Sequence, residues 1–176
     1  MSRSCVRPCR ANRWCTGLAD AWLYNYTDFG EGRGRSPQPV LRAVVEVATP
    51  HAPATFQAVI DTGGPITVVA AGLLDTGGDP VATGTTMMLR LGGATHDVPI
   101  YDLTLGVRPP PTVAAGQPIS WRGVVAVLDP WPMQGTAVLL GQAGFLDAFT
   151  VTFGPDGFAL EPAATFRARF PLAEPR

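Results

Sequence analysis

Short apolar runs separated by turn-forming residues dominate the chain beyond residue 40. The 176 residues include 20 glycines and 18 prolines, and only 15% of the residues are charged. In the sequence VLRAVVEVAT, residues 40–49, every second residue from Leu41 to Val47 is apolar, and Arg42 and Glu46 lie between them. This is the period-two pattern of a half-buried strand. Several such runs follow, so the sequence predicts an all-β domain, a small barrel or sandwich.

The sequence also predicts two regions along the chain. Residues 1–39 contain more arginines than acidic residues, carry the cysteines Cys5, Cys9 and Cys15, and end in GEGRGRSPQP. That composition is typical of an extended or flexible segment, so we interpret 1–39 as an N-terminal arm. The aromatic stretch WLYNYTDF within it is suited to docking on another surface. Residues 40–176 form the predicted domain.

Composition restricts the partners and cofactors that the chain is expected to need. A net charge of −1 gives no electrostatic reason to expect nucleic acid, and no apolar run approaches the length of a membrane span. Three cysteines without a fourth ligand make a poor zinc site, so neither a metal nor a cofactor is expected. No secretory signal is visible, and the absence of cysteines after Cys15 suits a reducing compartment, so the expected location is cytoplasmic.

The sequence AVIDTGGPITVV, residues 58–69, contains the strongest candidate for chemistry. Asp61 follows an apolar run and precedes Thr62, Gly63 and Gly64. The two glycines permit backbone conformations that a side chain would forbid, and they let backbone N–H groups approach the carboxylate. A carboxylate in this position is suited to catalysis, although the same residues are also common in an ordinary turn.

A second DTGG, residues 75–78, has different neighbours. Asp75 follows AAGLL, and Gly77, Gly78 and Pro80 come after it. These glycines and the proline are the signals that end a helical turn. We therefore interpret Asp75 as part of a cap and turn, and Asp61 as the catalytic candidate.

The order of motifs along residues 40–162 resembles the retropepsin family, the single-lobe aspartic proteases that include retroviral proteases and bacterial relatives. The resemblance rests on VIDTGG at 59–64, on a glycine-tipped hairpin, and on AVLLGQAGFLDAF at 137–149, where the family has two apolar residues, a glycine and then a helix. It implies a small closed β-barrel of the acid-protease type with one short helix. The corresponding second motif here is Leu139, Leu140 and Gly141.

The resemblance also implies the reaction and the assembly. Asp61, Thr62 and Gly63 would form the catalytic triplet of an aspartic endopeptidase that hydrolyses peptide or protein substrates. Two carboxylates that share a proton are needed as acid and base, and this chain is too short to supply both from two lobes, so a homodimer is expected.

A glycine-tipped hairpin would close over the substrate of such an enzyme, next to the loop that contains Gly64. The best match for its tip is Gly92 and Gly93, and the competing alternative is Thr83-Gly84-Thr85. The alternating stretch TFRARF, residues 165–170, is interpreted as a terminal strand that pairs across the dimer.

Three positions depart from the family pattern. Gly64 stands where Ala or Ser is usual, and Pro65 and Gln142 stand where retroviral members have an Asp and an Arg that pair. These departures favour an alternative hypothesis, a catalytically inactive retropepsin-like dimerisation or binding module. An unrelated β-domain is the third possibility.

Overall fold

A computed structural model provides the structure of the chain, and it describes residues 21–28, 39–40, 42–47, 53–110, 113, 117–155 and 157–170. These residues are mostly β-strand. The strands are β1 (Trp22–Asn25), β2 (Thr27–Asp28), β3 (Pro39–Val40), β4 (Arg42–Val47), β5 (Ala54–Ile60), β6 (Thr67–Ala70), β7 (Val81–Leu91), β8 (Ala94–Val107), β9 (Ile119–Leu128), β10 (Val138–Leu140), β11 (Phe149–Phe153) and β12 (Gly157–Pro162). A 3-10 helix spans Ala71–Thr76, and α1 spans Ala163–Arg169.

Six of these strands close into a barrel. Their order is β4-β5-β10-β6-β9-β8, and β8 pairs back with β4 through Val45 opposite Val107 and Glu46 opposite Gly106. Closure gives these strands neighbours on both sides over part of their length, and β7 extends the sheet beyond the ring by pairing with β8. The predicted all-β fold and closed barrel are therefore confirmed.

The barrel interior is filled by the apolar residues of the alternating runs. Val45 and Val47 on β4 and Leu103, Leu105 and Val107 on β8 are all at most 1% exposed. Burial of each such side chain contributes about 1.5–3 kcal/mol. The alternation seen in the sequence thus corresponds to one face of each strand that points into the core.

Strand β10 lies between β5 and β6 and is buried on both faces. It runs parallel to β5, with Leu140 opposite Ile60, and antiparallel to β6, with Val138 opposite Val69. Val138 and Leu140 belong to the barrel core, whereas Leu139 belongs to a second apolar cluster on the other side of the sheet. Burial on both faces explains why this strand is continuously apolar rather than alternating.

Strands β7 and β8 form the hairpin predicted from the sequence. Gly92 and Gly93 occupy its tip with φ values of 62° and 83°, a conformation that favours glycine at both positions. The alternative tip, Thr83-Gly84-Thr85, is instead an irregularity within β7, where the pairing shifts between Ala82 and Thr86. The structure therefore selects Gly92 and Gly93 as the hairpin tip.

The short helix is not where the sequence predicted it. Gln142 and residues 144–148 form turns, Ala143 forms an isolated bridge with Ile66, and Ala148 and Phe149 both donate to the carbonyl of Phe145. Gly144 has a φ of 84°, which is incompatible with a continuous right-handed helix. No helix in the described part of the chain is both long and apolar enough to cross a membrane.

The prediction that residues 165–170 form a strand is wrong, because they belong largely to α1. Phe166 and Phe170 are four residues apart, and their rings lie 5.0 Å apart. Arg169 donates to both carboxylate oxygens of the buried Glu161, with 2.6 Å to Oε1. Phe166 and Phe170 would lie on one face of a strand, because they are an even number of residues apart. A separation of four residues also places them on one face of a helix.

Part of the predicted arm is a strand of the fold. β1 pairs with β12 in a three-stranded sheet whose order is β1-β12-β11. The ring of Tyr24 stacks on Phe158 at 5.0 Å, and its hydroxyl donates to the carbonyl of Arg108 at 2.6 Å. The aromatic stretch therefore docks on the domain of its own chain. Residues 1–20 and 29–38, including the three cysteines, lie outside the described residues, and the domain boundary at residue 40 stays a prediction.

Tyr24 generates a prediction about stability at alkaline pH. Burial raises the pKa of its hydroxyl well above the ordinary value of 10.0. The unfolded chain ionises this group near its ordinary value, so the stability that Tyr24 contributes is fully present below that pH and is lost as the pH rises further. We expect the free energy of unfolding to fall more steeply above about pH 10 in the wild-type chain than in Tyr24→Phe.

Urea denaturation at a series of pH values measures this difference. At neutral pH, Tyr24→Phe should be less stable by about 1 kcal/mol, because the carbonyl of Arg108 loses a donor. Parallel curves for the two chains through the alkaline range would contradict the prediction.

Candidate active site at the Asp61 loop

The loop 61–65 connects β5 to β6 and lies at the end of β10. The backbone N–H of Asp61 donates to the carbonyl of Leu140 at 2.9 Å. Because Leu140 also pairs with Ile60, the two motifs singled out in the sequence are neighbours in space. The structure thus brings together Asp61, Thr62, Gly63 and Gly64 with Leu139, Leu140 and Gly141.

The Asp61 side chain is half-buried and held by backbone donors. The N–H groups of Gly63 and Gly64 both donate to its Oδ1 atom at 3.2 Å, and the Gly64 N–H also lies 3.1 Å from the Asp61 carbonyl. Asp61 does not belong to any of the ion pairs among the described residues, which involve Glu46, Asp79 and Glu161. The carboxylate is therefore oriented by neutral donors, and no cation among the described residues pairs with it.

Gly64 leaves room for the carboxylate to lie against the backbone. A β-carbon at position 64 would be 3.0 Å from Oδ2 of Asp61, closer than side chains normally approach. At position 63 the corresponding distance to Oδ1 would be 3.6 Å, an ordinary contact. A glycine at position 64 thus avoids a close contact with the Asp61 side chain.

Gly141 allows the backbone of the second motif to lie close to the backbone of Ile66, which follows the loop. A β-carbon at this position would overlap the backbone carbonyl of Ile66. The N–H of Gly141 donates to the hydroxyl of Thr67 at 3.1 Å, and Thr67 is completely buried. Thr67 was missed by sequence reasoning, since a threonine in a strand-like apolar run carries no distinctive signal.

Residue 142 ties the two motifs together further. The backbone N–H of Gln142 donates to the carbonyl of Gly64 at 2.8 Å, and its side-chain Nε2 donates to the carbonyl of Thr62 at 3.2 Å. The N–H of Ala143 donates to the carbonyl of Pro65 at 3.1 Å. Neutral hydrogen bonds therefore hold the segments of Pro65 and Gln142 side by side.

Asp75 lies in a different local structure, as the sequence predicted. It is exposed and belongs to the 3-10 helix Ala71–Thr76, where the Thr76 hydroxyl donates to the Leu73 carbonyl at 2.7 Å. Gly77 and Gly78 follow with φ values of 140° and 80°. This copy of DTGG ends a helical turn, so the prediction that Asp75 belongs to a cap and turn is confirmed.

The hairpin packs on an apolar cluster that adjoins the Asp61 loop. This second cluster contains Leu89 and Val98 from the hairpin, Ile66 and Val68 from the segment after the loop, and Leu139 from β10. A β-carbon at Gly92 would lie 3.9 Å from Pro132, and one at Gly93 would meet nothing within 4 Å. Neither position is in contact with the Asp61 loop through such a β-carbon, and the role of these glycines as a lid stays a prediction.

Other features of the described residues do not form a competing site. No group of three His, Cys, Asp or Glu side chains among them is arranged to hold a metal ion. A cavity of about 270 Å³ lies beside β9 and is lined by residues that include Trp121, Arg122, Gly144 and Asp147. None of the predicted site residues lines this cavity.

The close approach at Gly141 predicts a large effect of a small substitution. Gly141→Ala places a β-carbon on the Ile66 carbonyl, so we expect it to lower the free energy of unfolding by about 2–3 kcal/mol. Gly72→Ala is the matched control, because nothing lies within 4 Å of its β-carbon position on the 3-10 helix. Chemical denaturation should show this control to be neutral or more stable by up to about 1 kcal/mol. Equal stability of the two variants would contradict the close approach.

Comparison with known proteins identifies no family for this chain. No protein-family model matches it. No curated protein matches it either.

Proposed function

We propose that this chain is an aspartic endopeptidase with a retropepsin-type barrel, active as a homodimer in which each subunit supplies one Asp61. The observation that carries the proposal is the pairing of Asp61 with Leu140, which lie in the two motifs of the family resemblance. Local sequence does not require these motifs to meet, yet the N–H of Asp61 donates directly to the Leu140 carbonyl.

The environment of Asp61 supports a role in proton transfer. Both backbone donors bond to Oδ1, and this leaves Oδ2 to share a proton with the carboxylate of the partner subunit. A general acid–base group must also be reachable by water, and the half-burial of Asp61 next to exposed Thr62 and Gly63 meets this need.

The surface around Asp61 supports a two-fold contact. Thr62, Gly63 and Pro65 are exposed and uncharged. In a symmetric dimer the same patch meets itself, so charged residues here would face like charges. A neutral patch allows two Asp61 side chains to approach, with their mutual repulsion relieved by the one proton that they share.

The proposed reaction is hydrolysis without a covalent intermediate. The ionised Asp61 of one subunit takes a proton from a water molecule, whose oxygen attacks the peptide carbonyl carbon. The protonated Asp61 of the partner subunit gives its proton to the carbonyl oxygen, which produces a gem-diol. A proton then passes to the amide nitrogen and the C–N bond breaks. The products are a carboxylic acid and an amine, and the dyad again holds one proton.

The second apolar cluster supports an extended peptide as the substrate. It adjoins the Asp61 loop at Ile66 and receives apolar residues from the hairpin, including Leu89. In the proposal, Gly64, Gly92 and Gly93 contact the substrate backbone, and half-buried residues at the edge of the cluster, such as Leu91 and Ile100, contact its apolar side chains. We place the enzyme in the cytoplasm, in keeping with a described fold that contains no cysteine.

Replacement of Asp61 tests the proposal, and the second DTGG provides a matched control. Asp61→Asn should reduce cleavage of a mixed peptide library by at least about 100-fold between about pH 4 and pH 7, because the dyad loses its base. Asp75→Asn makes the same chemical change at an exposed site and should leave cleavage unchanged. Mass spectrometry of the products measures both rates and gives the cleavage sites.

Mixing experiments test the dimer separately. An excess of Asp61→Asn chain added to the wild-type chain should suppress cleavage, because mixed dimers contain a single carboxylate. Two results would contradict the proposal. One is wild-type cleavage that the excess of Asp61→Asn chain does not reduce, and the other is cleavage by Asp61→Asn alone at the wild-type rate. A wild-type chain that is dimeric by sedimentation and cleaves nothing would instead favour the inactive binding module.

A further inference from the structure

The side chain of Gln142 contacts the peptide unit that orients the Asp61 carboxylate. Gln142 Nε2 donates to the Thr62 carbonyl at 3.2 Å. That carbonyl and the N–H of Gly63 belong to the same planar peptide unit, and the Gly63 N–H donates to Asp61 Oδ1 at 3.2 Å. Because the peptide unit is rigid, an anchor on its oxygen also fixes the direction of its N–H.

The loop needs such an anchor because of its composition. Gly63 and Gly64 have no side chains to restrict their backbone angles, so two consecutive residues are free to reorient. The backbone N–H of Gln142 holds the Gly64 carbonyl at 2.8 Å, which fixes one side of the Gly63-Gly64 pair. The side-chain amide holds the Thr62 carbonyl and thereby fixes the other side.

We infer that Gln142 is a positioning residue of the site, whose side-chain amide sets the Thr62–Gly63 peptide plane and through it the orientation of the Asp61 carboxylate. The role of this residue in the reaction rests on the proposed function, whereas its effect on the loop does not. A hydrogen bond accepted by the Thr62 carbonyl also polarises the peptide unit and makes the Gly63 N–H a better donor to Oδ1.

The inference requires a donor at the end of this side chain. The Thr62 carbonyl can only accept, so a side chain without an N–H cannot replace Gln142. Gln142→Met has a similar length and no donor, and Gln142→Glu presents carboxylate oxygens to a carbonyl oxygen. Gln142→Arg keeps N–H donors with sufficient reach. All three variants keep the backbone bond from residue 142 to Gly64.

Hydrogen exchange of the free full-length chain tests the effect on the loop. We expect the Gly63 amide to exchange about fivefold faster in Gln142→Met and Gln142→Glu than in the wild-type chain, and at the wild-type rate in Gln142→Arg. Gln142 is exposed, so the melting temperature should change little. Unchanged exchange at Gly63 in both the Met and Glu variants would overturn the inference, whether or not the chain cleaves peptides.

Peptide cleavage tests the effect on the reaction. We expect kcat to fall about fivefold in the Met and Glu variants with KM unchanged, because substrate contacts are intact and the carboxylate is misoriented. Gln142→Arg should restore kcat. Sedimentation of each variant checks that the dimer persists.

A fall in kcat that Arg does not rescue, or an equal change in KM, would overturn the positioning role. A wild-type chain that cleaves nothing would refute the proposed function, and Gly63 exchange would still decide whether Gln142 orders the loop.

Discussion

The insertion of β10 between β5 and β6 is the constraint on which the Asp61 site depends. Three consecutive residues, Val138, Leu139 and Leu140, are each at most 5% exposed, and they point alternately into the two apolar clusters. Their burial contributes several kcal/mol in total, so the end of β10 is fixed by the core rather than by the loop. Asp61 bonds to the last residue of this strand, and a flexible glycine-rich loop therefore begins from a rigid point.

Neutral hydrogen bonds hold the remainder of the loop. The backbone of residues 142 and 143 bonds to the carbonyls of Gly64 and Pro65, and the Gln142 side chain bonds to Thr62. A charged pair at positions 65 and 142 would bring ions into this region and make its order depend on salt and pH. With neutral residues at both positions no ion is left unpaired there, and the two segments are in contact. Pro65 and Gln142 are thus compatible with an ordered site, which weakens the argument that they mark an inactive one.

Local patterns predicted the strands and the hairpin tip but failed where distant contacts decide. The alternating stretch at 42–47 and the glycine pair at 92–93 carry their structure in their own residues. Residues 142–148 looked helical, yet Gly144 packs so tightly on the Val124 carbonyl that a β-carbon there would overlap it, and its positive φ breaks the helix. In residues 165–170 the spacing of Phe166 and Phe170 suits both a strand face and one helical turn, and the ion pair from Arg169 to the buried Glu161 favours the helix. Neither that ion pair nor the bond from Gln142 to Thr62 can be read from a local pattern.

The two copies of Asp-Thr-Gly-Gly show that the same four residues adopt different structures when their surroundings differ. Asp75 has the same three following residues as Asp61, but its glycines adopt positive φ and end a 3-10 helix. At Asp61 neither glycine has positive φ, and both N–H groups turn toward the carboxylate. The difference arises outside the motif. Asp61 follows β5, and the neighbouring strand β10 supplies the Leu140 carbonyl that accepts from the Asp61 N–H. Gln142, two residues after Leu140, then bonds to the Thr62 carbonyl in the loop. A carboxylate becomes a candidate for catalysis here because the surrounding backbone is held in place, and the identity of the four residues is only a precondition.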